Sequence, residues 1–233
     1  MALIDQPGAI VFASGDLSRY AAFEDCLLGL EKPKGTVSVR GYASDLVSNL
    51  NSAIARAREQ LPNLGWIWVI ADDHSFKSDT LSRLLRHNMD VVSPLVLVRR
   101  YPFPPSIYLR QRDHETNLFQ QLALEALPTD RTLMVSGEDG MPEMYSSPAG
   151  MLISRRALDA VGTPVYRAGQ MGNEGFINED FDLCERLHLA GFRPATDLSI
   201  RMSHITPAEI WPVLADGRWK IDLRFRPYDT ESM

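Results

Sequence analysis

The chain has 233 residues, 45% hydrophobic and 23% charged, with a formal net charge of −6 at pH 7. This is ordinary globular composition, long enough for one sizeable core, and the charge calls for no nucleic-acid or membrane partner, though it leaves room for a local basic patch. Two cysteines, Cys26 and Cys184, are too few for a disulfide scaffold, no apolar run approaches the roughly 20 residues that span a bilayer, and MALIDQPGAIVFAS lacks the basic and long apolar regions of a signal peptide. The expectation is a soluble, reduced, cytoplasmic protein with no transmembrane segment.

Residues 9–13 (AIVFA) read as a buried strand entering the loop Ser14-Gly15-Asp16. Residues 20–30 form an amphipathic helix with Phe23, Leu27 and Leu30 on one face, and 35–40 (GTVSVR) a second strand. Ser44 suits an N-cap with Asp45 in the first turn, before Leu46, Leu50, Ile54, Ala57 and Leu61 at helical spacing. Residues 66–70 (WIWVI) are a third strand, running into Ala71-Asp72-Asp73-His74. Ser78 and Asp79 open a short helix with Leu81, Leu84 and Leu85, and 90–98 (DVVSPLVLV) is a fourth strand. This alternation predicts an α/β fold, a mostly parallel central sheet with helices on both faces, and ligands at the carboxyl ends of its strands.

After Val98 the pattern changes. Residues 99–109 (RRYPFPPSIYL) read as an irregular, semi-rigid loop, 116–127 as a helix or a long connection, and 137–148 as turns. Residues 151–154 read as a strand and 154–161 as a short helix ended by Gly162. Residues 166–178 form a glycine-rich mobile stretch, and 179–190 a helix stopped by Gly191. Residues 218–226 (RWKIDLRFR) alternate as an edge strand or arm, with contact to a polyanion or a second subunit as the alternative. The expected organisation is one domain over 1–210 with a C-terminal extension over 211–233.

Three features carry chemistry. Asp72 and Asp73 end a buried strand, where two repelling carboxylates can hold a divalent cation; an Asp-rich turn or helix cap is the plainer reading. Glu179, Asp180 and Asp182 open a helix after Asn178. Acids there complement the helix dipole for about 0.3–1 kcal/mol each, but with Glu174 they flank Gly169, Gly172 and Gly175, which suits a carboxylate delivered by a closing lid. His204 follows a strand; alone it reads as structural, beside two acids as a nitrogen ligand. An Asp/Asp/His set favours Mn2+ or Mg2+ over structural zinc. Arg155 and Arg156 offer phosphate contacts or surface ion pairs, Tyr101, Phe103 and Tyr108 an acceptor platform or packing under the loop, and Trp66 and Trp68 burial.

The stretches WIWVIADDHSFKSDTLSRLLRHNMDVV, SSPAGMLISRRALDAVG and NEDFDLCERLHLAGFRPATDLSIRMSH, in that order, resemble small metal-dependent glycosyltransferases of the GT-A fold (Rossmann-like), closest to glycosyltransferase family 2. The resemblance implies that Asp73, with Asp72, stands at the DxD-type motif binding metal and donor diphosphate, or that Asp72-x-His74 is a DxH motif with His74 as ligand. It implies His204 as the late metal ligand and Asp180, with Glu179 beside it, as catalytic base. Ala13, Ser14, Gly15, Arg40 and Gly41 fall in nucleotide-holding loops, Asn51 near the nucleotide, and Ala149 and Gly150 where small residues let the donor sugar approach the backbone. Ala71 stands where many relatives have a third acid.

The implied reaction is transfer from a nucleotide sugar, UDP- or GDP-linked, to an acceptor hydroxyl with inversion, and the helix N-terminus helps keep Asp180 ionised. A nucleotidyltransferase is the alternative, although it calls for a Gly-rich basic loop where this chain has Ser14-Gly15-Asp16-Leu17; a non-catalytic nucleotide-sugar-binding domain is the third reading. The sequence does not identify the acceptor, and leaves homo-oligomerisation open.

Overall fold

A computed structural model gives the fold and describes residues 1–13, 21–43, 45–112, 117–138, 140–146, 150–167, 169–172, 175–205 and 208–225. β1 (Gly8–Ala13) is buried along its whole length, as an unbroken apolar run requires of a strand covered on both faces. It is followed by α1 (Ala21–Gly29) and β2 (Val37–Arg40). α2 (Leu46–Gln60) is capped by Asp45, whose carboxylate accepts from the Ser48 N–H at 2.9 Å. The expected cap, Ser44, lies outside the described residues.

β3 (Trp66–Ala71) turns through Asp72 and Asp73 into β4 (His74–Ser75), followed by α3 (Thr80–Arg86) and β5 (Val91–Leu95). Next come β6 (Ile107–Arg112), β7 (Asn117–Gln121), β8 (Leu133–Val135), β9 (Glu143–Ser146) and β10 (Met151–Ser154). α4 (Arg155–Val161) is capped by Ser154. The chain continues through β11 (Gln170–Gly172), β12 (Gly175–Ile177), α5 (Glu179–Leu189), β13 (Ala195–Arg201), β14 (Ser203–Ile205), β15 (Ala208–Ala215) and β16 (Arg218–Phe225).

The central sheet has seven strands in the order β2-β1-β3-β10-β5-β13-β8. β2, β1, β3, β5 and β13 run one way, while β10 and β8 oppose them. Alternation sorts the sheet's side chains onto two faces. Val11, Ile67, Val69 and Ile153 pack against Leu50, Ile54, Leu158 and Leu183 of α2, α4 and α5. Ile10, Phe12, Trp66, Trp68 and Ile70 pack against Phe23, Leu27, Leu81 and Leu84 of α1 and α3. Each such buried side chain contributes about 1.5–3 kcal/mol, so the sheet is the rigid base from which its strand ends project.

The second half departs from the sequence reading in three places. Residues 117–121 form a strand, not a helix, because alternate side chains face the apolar layer: Phe119 packs on Tyr145 at 4.9 Å while β7 pairs with β6 and β6 with β9. The irregular proline loop therefore ends before Ile107. The expected break at 210/211 falls inside β15, which pairs with both β14 and β16, so the C-terminal hairpin completes the four-stranded sheet β16-β15-β14-β4.

Gly150 has φ 90°, its N–H donates to the Val69 carbonyl at 2.7 Å, and its carbonyl accepts from Trp68 Nε1 at 2.8 Å. A Cβ there would sit 2.6 Å from Pro94 Cγ and 3.0 Å from Met202 Sδ. The smallness of this residue thus serves interior packing. Gly150→Ala should destabilise the fold by about 1–3 kcal/mol through overpacking and positive-φ strain, measured by urea unfolding; an unchanged midpoint would contradict this packing.

Candidate metal centre and active site

The parallel strands share a carboxyl edge, and the site is built there. β3 ends at Ala71, paired with Ala13 at the end of β1. Asp72 and Asp73 make the turn, and β4 then pairs antiparallel with β14, placing His74 opposite His204. The Ile205 N–H donates to the Asp73 carbonyl at 2.6 Å, and the Ser75 and Ser203 hydroxyls meet at 2.5 Å in the interior. A pairing of two strands thus joins residues far apart in sequence.

The result is a compact donor set. Ligand atoms of Asp73, His74 and His204 all lie within 4.8 Å of one another. The two imidazoles stack with centroids 4.4 Å apart. Asp73 Oδ1 lies 2.9 Å from His74 Nδ1, and Oδ2 lies 3.2 Å from His204 Nε2 and 3.1 Å from Arg99 Nη1. Asp72 is not part of this group, so the pattern is one carboxylate and two imidazoles instead of paired carboxylates with one histidine.

These residues suit a divalent cation. His204 Nδ1 lies 3.0 Å from the Leu97 carbonyl, which only accepts, so Nδ1 carries the hydrogen. In the neutral ring Nε2 then turns a lone pair toward Asp73 Oδ2, and two acceptors at 3.2 Å need a proton or a cation between them. A histidine fixed through its other nitrogen by a backbone carbonyl is the usual arrangement of a metal ligand. Asp73 Oδ1 and both His74 ring nitrogens are also buried without a well-aligned hydrogen-bond partner. Burial pulls the His74 pKa down against the pull of Asp73, which favours the neutral, ligating imidazole. Burial alone would raise the Asp73 pKa, but the adjoining His204 and His74 rings outweigh it and hold the carboxyl well below the usual range.

His74 and His204 line a cavity of about 210 Å³ together with Tyr108, Asn178, Asp180 and Phe181. Asn178 caps α5 by accepting from the Phe181 N–H at 2.9 Å, which sets Asp180 in the first turn. Tyr108 packs edge-on against Phe181 at 4.9 Å. Asp180 Oδ1 is shielded from solvent and unpartnered. Burial, and then the Glu179 charge, push its carboxyl up to about 7. The helix N-terminus was expected to keep Asp180 ionised; desolvation wins.

The remaining sequence candidates are scattered. Ser14, Gly15, Ala149 and Glu174 lie outside the described residues. Arg40 ends β2 at the carboxyl edge, its guanidinium 5.2 Å from the Tyr42 ring, and Gly41 passes so close to Asn49 that a Cβ would meet its carbonyl at 2.0 Å. Asn51 is engaged elsewhere, donating to the Tyr166 carbonyl at 2.7 Å and accepting from the Tyr166 N–H at 3.0 Å. Arg155 pairs with Asp159, and Arg156 with Asp90. Asp182 pairs with Arg186 one turn on. Sequence reasoning missed Arg99, the cation against Asp73; its only signal was Arg99-Arg100 directly after a strand.

No protein-family model matches the sequence, and no curated protein matches it. By structure the chain is similar to A197 from STIV, with 13% identity and a TM-score of 0.57, covering 94% of this chain and 95% of that one. It is also similar to GalNAc-T7, solved with UDP, GalNAc and Mn2+, with 10% identity and a TM-score of 0.53; 86% of this chain is covered but only 44% of that one, so this chain spans less than half its length. Identities this low show the fold alone, and the fold is GT-A-like.

Two measurements test this geometry. Mn2+ should raise the melting temperature saturably, as a ligand of the folded state does, and Asp73→Ala or His204→Ala should weaken that response at least about tenfold, as loss of a ligand does. Equal titrations in all three proteins would make the cluster structural. For Asp180, the folded pKa of about 7 lies above the reference 3.8, so its ionisation costs stability as pH rises between those values. Asp180→Asn should therefore gain on the wild type from about pH 4 to about 7, reaching on the order of a few kcal/mol at pH 8; a pH-independent difference would show that Asp180 is ionised throughout.

Proposed function

We propose that the protein is a metal-dependent glycosyltransferase that moves a sugar from a nucleotide-sugar donor, UDP- or GDP-linked, to an acceptor hydroxyl with inversion. The observation that carries this reading is the cavity lined both by His74 and His204, the two imidazoles of the Asp73–His74–His204 donor set, and by Asp180. Asp73, His74 and His204 would hold Mn2+ or Mg2+, and a bound cation neutralises negative charge gathering on a diphosphate leaving group.

The chain's own residues supply the rest. Asp180, lining the same cavity as the histidines, takes the acceptor's proton on its unpartnered Oδ1. A carboxyl titrating near 7 is a stronger base than an exposed aspartate and still half ionised at neutral pH, the balance general-base catalysis favours. Glu179 supplies part of that shift without being the base. Tyr108 and Phe181 offer apolar faces for a sugar ring. At about 210 Å³ the cavity is smaller than the roughly 300–1,000 Å³ of pockets that enclose whole ligands. It therefore takes the reacting sugar end, while the nucleotide extends along the carboxyl edge toward Ala13 and Arg40.

The test is a screen of UDP-, GDP-, CMP- and dTDP-sugars with Mn2+, following binding by calorimetry and transfer to water as donor hydrolysis. One donor class should bind in a metal-dependent way. Asp180→Asn should keep donor affinity within about threefold yet lower turnover at least about 100-fold, the range general bases supply. The wild-type kcat/KM should rise with pH and level off above about 7, as the ionisation of Asp180 requires. Absence of any donor binding would overturn the reading, and near-normal turnover of Asp180→Asn would remove it as base.

A further inference from the structure

A second polar pocket lies on the other side of the small sheet. Strand alternation places Trp211 and Arg224 on the face opposite His74 and His204, because His204 pairs with Ile210 and Arg224 pairs with Glu209. Trp211, Arg224, Lys77, Arg83, Ser199 and Arg201 line a pocket of about 180 Å³. Four of the ten residues that line it are cationic and none is acidic, in a chain whose net charge is −6.

The cations divide into two kinds. Arg224 is neutralised by Asp222 at 2.9 Å and lies over the Trp211 ring at 5.2 Å. Lys77, Arg83 and Arg201 have no carboxylate within ion-pair distance among the described residues; Asp79, one turn before Arg83, makes no ion pair with it. Arg83 is held by neutral and relayed contacts instead: Nη2 donates to Ser199 Oγ at 2.8 Å, and that hydroxyl donates to Asp197 Oδ1 at 2.6 Å. Asp197 is itself engaged by His87 at 2.7 Å and by the Ser199 N–H at 2.7 Å. Arg201 Nε donates to the Leu198 carbonyl at 3.3 Å, and its guanidinium lies 5.1 Å from the Trp219 ring centroid. Two half-buried guanidiniums are thus held in place by groups that leave their charge uncompensated. Burial, and then the Arg83 charge, lower the Arg201 pKa.

Fixed like charges around a concave space cost free energy, and a bound anion offsets it. Guanidinium forks match the paired oxygens of a phosphoryl group. Both arginines are pre-positioned, so little side-chain ordering opposes binding. We infer that the pocket formed by Lys77, Arg83 and Arg201 binds a phosphate-class oxyanion, either free phosphate or the phosphoryl end of a small phosphomonoester. The assignment is independent of the proposed transfer reaction and of any cation at Asp73.

The experiment uses metal-free full-length protein, so that phosphate cannot be recruited through a cation. Inorganic phosphate and glucose 1-phosphate are titrated separately, with calorimetry and the tryptophan indole N–H signals as readouts. At least one should bind saturably and move the Trp211 signal, with affinity falling as NaCl rises. Equal affinities would assign free phosphate, and tighter glucose 1-phosphate the phosphoryl end of an ester. Arg201→Gln and Arg83→Gln should each weaken binding at least about tenfold, the loss expected when a charge-assisted bidentate contact is removed. Lys77 is exposed, so Lys77→Gln gives a variant whose folding is not at stake, and it should weaken binding by a few-fold. No saturable binding of either probe, or binding that Lys77→Gln and Arg201→Gln both leave unchanged, would overturn the assignment.

Discussion

The candidate site depends on one short strand pairing. β4 is only two residues long, and its partner β14 three, yet this ladder sets His74 beside His204 and fixes the Asp73 carbonyl against Ile205. Two residues of ladder are a weak interaction on their own. Here both strands emerge directly from the central sheet, β4 from β3 and β14 from β13, and the Met202 N–H is tied back to Leu95 at 3.0 Å. The entropy of bringing these segments together is therefore already met by the core, and the added pairing only orients the side chains.

Two carboxylates sit at this edge, and their surroundings drive them in opposite directions. Asp73 is enclosed by two imidazoles and the Arg99 guanidinium, and stays ionised. Asp180 is desolvated beside Glu179 and titrates near 7. Such divergence between neighbouring carboxylates is how one site holds a permanent anion and a proton acceptor together. The division matches the proposed roles: Asp73 for a cation, Asp180 for a proton.

Much of the frame was legible because it rests on periodicity. The apolar run before Asp72, the helical spacing of Leu50, Ile54 and Ala57, and the α5 start at Glu179 all correspond to elements of the structure. Residues 117–121 were not legible as a strand, since a half-buried strand on a three-stranded side sheet has too short an alternation to outweigh helix formers. At the site, the sequence pointed to His74, Asp73 and His204 but left the choice between Asp72 and His74 open, because register decides it and register is set by β14 far downstream. The contacts of Gly150 with Pro94 and of Asn51 with the Tyr166 backbone are tertiary and leave no local pattern. The basic pocket was hidden for the same reason, as Lys77, Arg83 and Arg201 come from separate segments of an acidic chain.

The most direct measurement is an anomalous-difference map from crystals of the protein soaked with Mn2+. The account requires a single strong peak within coordination distance of Asp73, His74 and His204, facing the cavity that Asp180 lines. A peak elsewhere, or none at saturating manganese with these side chains ordered, would contradict it.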